Sequence, residues 1–292
     1  MLPNNIQWYF PTKVKEAAKL IQKDGIILHG GGTKILEPQP RSSIKGLVDI
    51  SALELNYIKV AGDTVHIGSG ATFADVVTWS RDKKRLAMLS ASLSHAASTP
   101  LRNRITVGGS IKDFPMWSNL YAPLLALDAQ IDIIGERSGV FSLEEYATSA
   151  LIKSKHLVRE IRVIEKRNIL CGVKIFHVVR FEYPIFTIAV ACTMDKNIVR
   201  DARIFVTGVK KKLTRLGAAE KVLRRNSISD ELINSVADQV TLTFVPDYKF
   251  SAAYKEKVAR VYLKDLLQEI KKSISGSIQR RPKDPSMIKS IR

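Results

Sequence analysis

The chain has 292 residues, 45 % of them hydrophobic and 25 % charged, which is enough to bury a sizeable core and ordinary for a soluble protein. Lysine and arginine number 46 against 28 aspartate and glutamate; the formal +18 admits nucleic acid, an anionic membrane surface or an acidic partner and selects none of them. The only two cysteines, Cys171 and Cys192, lie outside any CxxC spacing, which excludes a four-cysteine zinc site or iron–sulfur cluster held by this chain and leaves two reduced, buried thiols as the expectation.

The opening MLPNNIQWYF lacks the charged region and apolar stretch of a secretion signal. The longest strongly apolar run, YPIFTIAVACTM, is about half a membrane span. A soluble, cytoplasmic chain is expected. In PTKVKEAAKLIQKDG the spacing of Val14, Ala17, Ala18 and Leu20–Ile21 predicts an amphipathic helix ended by Gly25. IILHG, LVDIS and DTVHIGSG read as strands, and TFADVVTWSRDKKR as a helix capped by Thr72. ASLSHAASTPLRN reads as a helix broken near Pro100. APLLALDAQIDIIGE passes from helix to strand, and HLVREIRVIE alternates as an edge or sheet strand does. A change follows near residue 168. VKIFHVVRF, IFTIAVACTM and VRDARIFVTGV read as strands; KLTRLGAAEKVLRR, SDELINSVADQV and SAAYKEKVARVYLKDLLQEIKKS read as helices, an α+β unit with helices on one face. The basic tail after Ser273 carries two prolines and suggests disorder or partner contact.

Chemistry concentrates in two glycine-rich stretches. ILHGGGTKIL, residues 27 to 36, ends a strand in three glycines, which lets backbone N–H groups converge with no Cβ in the way of a phosphate. It is neither GxGxxG nor a Walker A loop, so a flexible turn stands beside the phosphate reading. LRNRITVGGSIKDFPMWSN supplies a second small, hydrogen-bonding loop at Thr106, Gly108, Gly109 and Ser110. Two such loops suit the two sides of a diphosphate, with Lys34, Arg102 and Arg104 as flanking charge. The third stretch, IGSGATFAD, reads as a turn before a helix. His29, His66, His95, His156 and His177 are scattered and read as structural rather than catalytic, and no recognition motif or basic aromatic platform supports nucleic-acid binding.

Taken in order, GGGTKI (Gly30 to Ile35), LVDISALELNYIKVAGDTVHIGSGATFADV, RNRITVGGS (Arg102 to Ser110), HLVREIRVI (His156 to Ile164) and YPIFTIAVACTM resemble the FAD-binding medium subunit of the molybdenum hydroxylases, the group of xanthine dehydrogenase, carbon monoxide dehydrogenase and aldehyde oxidoreductase. The resemblance covers roughly residues 3 to 272. It implies an α+β chain: a two-subdomain FAD-binding fold of the vanillyl-alcohol oxidase and p-cresol methylhydroxylase type over 1–168 (subdomains 1–53 and 54–168), then a three-stranded sheet with helices over 169–272 and a basic tail over 273–292.

By position it implies that Gly30, Gly31, Gly32 and Thr33 hold the pyrophosphate of FAD, with Leu28, Lys34 and Ile35 flanking it. Ala96 and Ala97 make room beside the cofactor, Thr106, Gly109 and Ser110 form the opposing wall, and Leu157 and Val158 pack near the adenosine or ring system. Core packing is the bland reading of those last two. Four positions depart from the family pattern: Ser110 for asparagine, Asn119 for an aspartate that meets a ribose hydroxyl, Lys34 for an acid, and His177 for a lysine near the flavin. The resemblance places molybdenum–pterin on a large partner subunit and [2Fe–2S] clusters on a small one, so this chain needs no catalytic residue or metal ligand of its own; it binds and tunes the flavin in a hetero-oligomer. A scaffold subunit that has lost FAD and a stand-alone flavin oxidoreductase are the alternatives.

Overall fold

The structure, a computed structural model, describes residues 6–35, 44–179 and 182–279. Strand β1 (Gln7–Tyr9), helix α1 (Val14–Leu20), β2 (Ile26–His29) and β3 (Gly46–Asp49) open the chain. The strands run parallel in the order β1-β3-β2, and α1 is the crossover from β1 to β2. Its apolar stripe sets Ala17, with Ile21 just beyond, into a cluster with Val48, Leu53 and Leu55. Gly25, in the left-handed region at φ 80°, turns the chain into β2. The triple glycine follows directly on the C-terminal end of β2, an edge strand of this sheet.

An antiparallel sheet follows, of β4 (Ile58–Ala61), β5 (Thr64–Gly68), β6 (Gln130–Gly135), β7 (Gly139–Ser142) and β8 (His156–Ile164), in the order β4-β5-β8-β6-β7. HLVREIRVIE is thus the central strand. Its alternation sends Ile161 and Val163 into the core and Glu160 and Arg162 to the other face. There Glu160 accepts hydrogen bonds from Tyr57 Oη at 2.7 Å and Arg162 Nε at 2.7 Å and meets His66 Nδ1 at 3.0 Å, while Arg159 and Arg162 both hold Asp132. Between β5 and β6 lie α2 (Phe73–Ser80), α3 (Ala87–Leu93), α4 (Thr99–Arg102), α5 (Val107–Asp113) and α6 (Tyr121–Ala126); α7 (Leu143–Thr148) follows β7. Thr72 caps α2 through a reciprocal box with Asp75. Pro100 sits in the first turn of α4, where its missing N–H costs nothing, so it starts a helix rather than breaking one; the break is Ala97, at φ 49°.

Strands β9 (Ile169–Phe176), β10 (Phe186–Asp195), β11 (Ile198–Val209) and β12 (Lys212–Arg215) form an antiparallel sheet in the order β12-β11-β10-β9, backed by α8 (Gly217–Leu223), α9 (Asp230–Asp238) and α10 (Ala252–Gln279). The expected three strands are four. KLTR, expected to begin a helix, is the fourth strand, because Lys212 at φ 66° closes a hairpin back onto Phe205 to Val209. VKIFHVVRF stops being strand at Phe176, and its last two residues lie outside those described. α10 runs past the expected limit at 272 to Gln279, and 280–292 also lie outside. On β10, Ile188, Val190 and Cys192 pack under Leu263, Leu266 and Leu267, whereas Ala189 and Ala191 join the core of the preceding sheet and helices. Burial on both faces explains the unbroken apolar run of that strand.

Candidate functional site

Beyond β2 the chain passes through Gly30, Gly31 and Gly32, the last left-handed at φ 75°. A methyl group on Gly31 would sit 1.5 Å from the carbonyl oxygen of Arg104, and one on Gly30 3.3 Å from Thr106 Oγ1. The two glycine stretches therefore touch, although they are far apart in sequence. Arg104 Nε donates to Gly31 O at 3.1 Å, so this arginine joins the stretches rather than facing a ligand. Arg102 likewise braces the turn beside the groove, donating to Ala96 O at 3.1 Å and Ala97 O at 2.7 Å.

The second stretch is the first turn of α5 and not a loop. Thr106 caps the helix, its Oγ1 accepting from Gly109 N at 3.2 Å. Glycine is required inside this helix because a Cβ at Gly108 would meet Ser69 Cβ at 2.6 Å and one at Gly109 would meet Thr106 Oγ1 at 2.9 Å. The third stretch, around Gly68 to Gly70, lies beneath: Gly108 N donates to Ser69 O at 2.9 Å.

Between these segments opens a groove of two joined chambers, of about 810 Å³ and 640 Å³. The larger is lined by Leu28, the whole run Gly30 to Ile35, Ala96, Ala97, Thr106, Gly109, Ser110 and Asn119. The smaller is lined by Leu157 and Val158, and shares Leu28, Gly30, Lys34, Ile35, Thr106 and Gly109 with the larger. Leu157 and Val158 also pack in two different core clusters, so the core reading and the groove reading hold together. His177 lines neither chamber; it lies past β9 with its ring 5.8 Å from that of His95, the neighbour of Ala96. Burial first, and then the charge of His95, lower its pKa.

Asn119 is buried, and its side-chain amide donates to Ser92 O at 3.3 Å. Next to it, Ser118 O accepts from Thr207 of β11 at 3.0 Å, which fixes the C-terminal sheet against the groove. That sheet and the segment after α9 bring Tyr183, Pro184, Tyr248 and Lys249 to the mouth of the larger chamber, with the ring of Tyr183 4.5 Å from that of Trp117. Sequence reasoning missed these residues, since nothing in their linear spacing ties them to the glycines. It also missed Asp113, whose carboxylate lies 3.5 Å from Lys34 Nζ, and Lys112, which donates from the wall of the smaller chamber to Ile152 O at 2.9 Å and Ser154 O at 2.7 Å. Burial brings the Lys112 ammonium down to about 8. Beside it, burial and the charge of Lys112 take His156 to about 4, so this histidine is a neutral partner of Tyr146 Oη at 3.0 Å.

Such a groove fits a dinucleotide. It is two-lobed, its middle is walled by glycines and a helix cap, its outer walls mix apolar side chains with charged ones such as Lys112 and Lys155, and among the described residues Ser69 Oγ, on the wall of the smaller chamber, is a buried hydroxyl with no hydrogen-bond partner. Residues 4–163 match the FAD-binding domain in molybdopterin dehydrogenase, and residues 173–270 match the C-terminal domain of the CO dehydrogenase flavoprotein. The chain belongs to the FAD-binding subunits of the molybdenum hydroxylases. It is an oxidoreductase subunit with the mixed α and β architecture of that family. Among similar proteins, the glyceraldehyde dehydrogenase medium chain of Sulfolobus acidocaldarius is 24 % identical over 92 % of this chain and 100 % of its own. The carbon monoxide dehydrogenase medium chain of Hydrogenophaga pseudoflava is 25 % identical over 91 % and 97 %. A solved structure of carbon monoxide dehydrogenase from Hydrogenophaga pseudoflava superposes with a TM-score of 0.84 over 92 % of this chain and 98 % of that one, at 23 % identity. Among the described residues no helix of this flavoprotein subunit is long and apolar enough to cross a membrane.

Proposed function

We propose that this chain holds FAD along the groove, its diphosphate at the waist between the two glycine stretches, its adenosine half in the smaller chamber and its ring system in the larger. The observation that carries the reading is the direct contact of the Gly31 turn with the Arg104–Thr106 segment beside an open, two-lobed groove. When bound, FAD supplies the exchange of electrons between the [2Fe–2S] clusters of a small partner subunit, fed by a molybdenum–pterin centre on a large one, and an external acceptor. This chain's own residues do the rest. Gly30 to Thr33 and Thr106 to Ser110 give backbone room for phosphate oxygens. Leu28, Ile35, Ala96 and Ala97 wall the cofactor with small or apolar groups, and Leu157 and Val158 close the adenosine end. Tyr183 and Tyr248 present largely exposed rings at the rim of the larger chamber. Asn119 offers a neutral side chain where the family pattern has an acid, and His177, which lines neither chamber, takes no part in holding the cofactor.

On this reading 1–168 carry the cofactor, 169–272 cover it and 273–292 contact a partner, in the cytoplasm. Loss of FAD is the less economical alternative, because packed side chains would be free to fill a groove that holds no ligand. The test is to purify the native complex and assay flavin, molybdenum and iron on the same sample. One FAD per copy of this chain, together with molybdenum and iron on co-purifying subunits, is expected. A colourless chain that takes up no FAD overturns the reading.

A further inference from the structure

Lys112 follows Gly108 by four residues and Gly109 by three on α5, so the face of the helix that walls the waist also carries this lysine. Its side chain is half-buried in the wall of the smaller chamber. Nζ donates to Ile152 O at 2.9 Å and Ser154 O at 2.7 Å, and its remaining contact is a long one, 3.5 Å, to Nδ1 of the neutral His156. These partners satisfy N–H groups and leave the positive charge uncompensated. Among the described residues no carboxylate pairs with Lys112: Asp24, on the same chamber, is held by Lys155 at 2.6 Å, Asp113 lies against Lys34, and Glu136 acts on it only from a distance. A cation drawn out of water without a counter-ion is costly to hold, and an anion brought into the chamber relieves that cost. The same wall carries Ser69 Oγ, a second buried polar group that the described residues do not satisfy. We propose that Lys112 is a dinucleotide-binding residue: the counter-ion its ammonium lacks is a phosphate oxygen of the cofactor, met from the smaller chamber. The inference rests on the reading of the groove as an FAD site. The two carbonyls hold the ammonium in place beforehand, so little side-chain freedom is lost when the ligand arrives. No covalent bond to carbon or phosphorus changes, but a proton is taken up. Without ligand, burial holds the ammonium at about 8; a phosphate beside it raises that value, so near pH 8 the cofactor binds together with a proton from solvent. Of the groups packed against Lys112, His156 has lost its proton at about 4, and Tyr146 behind it keeps its own well above this range.

The test is calorimetric titration of the full chain, freed of flavin, with FAD from pH 7 to 9.5 and in two buffers of different ionisation enthalpy. Lys112→Met is expected to weaken FAD about tenfold at pH 7, the equivalent of a rise of about one unit in the lysine's pKa on binding. The gap should close to within about twofold by pH 9.5, as the wild-type ammonium loses its proton, and the wild type should take up about 0.4 proton per FAD at pH 8 while Lys112→Met takes up none. Equal affinity of the two proteins at pH 7 overturns the proposal. So does a gap that stays constant with pH, which would make Lys112 a brace for the chamber wall and nothing more. Should Lys112→Met fail to fold by circular dichroism, the wild type decides alone: FAD binding at pH 8 without proton uptake overturns the proposal. A wild-type chain that binds no FAD at any pH defeats the flavin reading itself, a result distinct from FAD binding that ignores Lys112.

Discussion

Gly31 is the position at which fold and site are the same constraint. A side chain there would collide with the backbone of Arg104, and backbone cannot move aside as a flexible side chain can. Gly31→Ala is expected to cost about 2 kcal/mol or more in chemical denaturation and to lower the flavin content of purified protein, both measurable on one preparation. A second prediction at this scale concerns acid. His156 is neutral and buried, with a folded pKa near 4 against the ordinary 6.5; the unfolded chain therefore takes up a proton that the folded chain refuses, and stability falls as pH drops from about 6.5 to 4. Burial alone would raise the pKa of Glu160, but hydrogen bonds from Tyr57, His66 and Arg162 bring it down to about 2, so its contribution is lost between about 4.5 and 2. Denaturant midpoints across pH 7 to 3 should fall through both windows, and Glu160→Gln should flatten the lower one. The glycines and alanines of the groove were named through the ordered resemblance of several segments to one family, since the triple glycine alone suits a flexible turn as well. Asp113, Lys112 and Tyr183 were not, since their place depends on how separate elements pack.

Elements read well where one signal dominates. Thr72 as N-cap identified the start of α2, the structure adds Asp75 as its reciprocal partner, and Thr72→Ala should cost about 1 kcal/mol in urea unfolding without changing flavin affinity. The second glycine stretch was read as a loop because glycine disfavours helix; close packing on Ser69 overrides that propensity and makes it the first turn of α5. KLTR went the other way. Its long polar side chains suit a helix, but a left-handed Lys212 folds it back as an edge strand. The seam between the N-terminal and C-terminal parts gave no sequence signal. Glu144 accepts from Arg203 Nη2 at 3.0 Å and from Arg215 Nη1 at 3.0 Å, joining α7 to β11 and β12. Glu144→Ala should take one of two carboxylate partners from each arginine, leaving Arg203 with Asp128 and Arg215 with Glu220, lower stability by about 1 kcal/mol and speed flavin release in stopped-flow fluorescence, as the C-terminal sheet loosens from the groove.

At the scale of the whole molecule, two sequence-distant turns meet because a parallel sheet and an antiparallel sheet each deliver one of them to the same groove. The C-terminal sheet, apolar on both faces, then seats its loops over the opening. A ligand held by all three parts couples their stabilities: saturating FAD should raise the melting temperature by an amount that grows with the logarithm of free FAD, whereas riboflavin should give a smaller shift. The most direct measurement is the electron density of crystals of the chain grown with FAD. The account predicts one FAD per chain, its diphosphate between Gly30–Thr33 and Thr106–Ser110 and its adenosine beside Leu157. Density for the cofactor elsewhere, or a groove closed by protein side chains in flavin-saturated crystals, would contradict it.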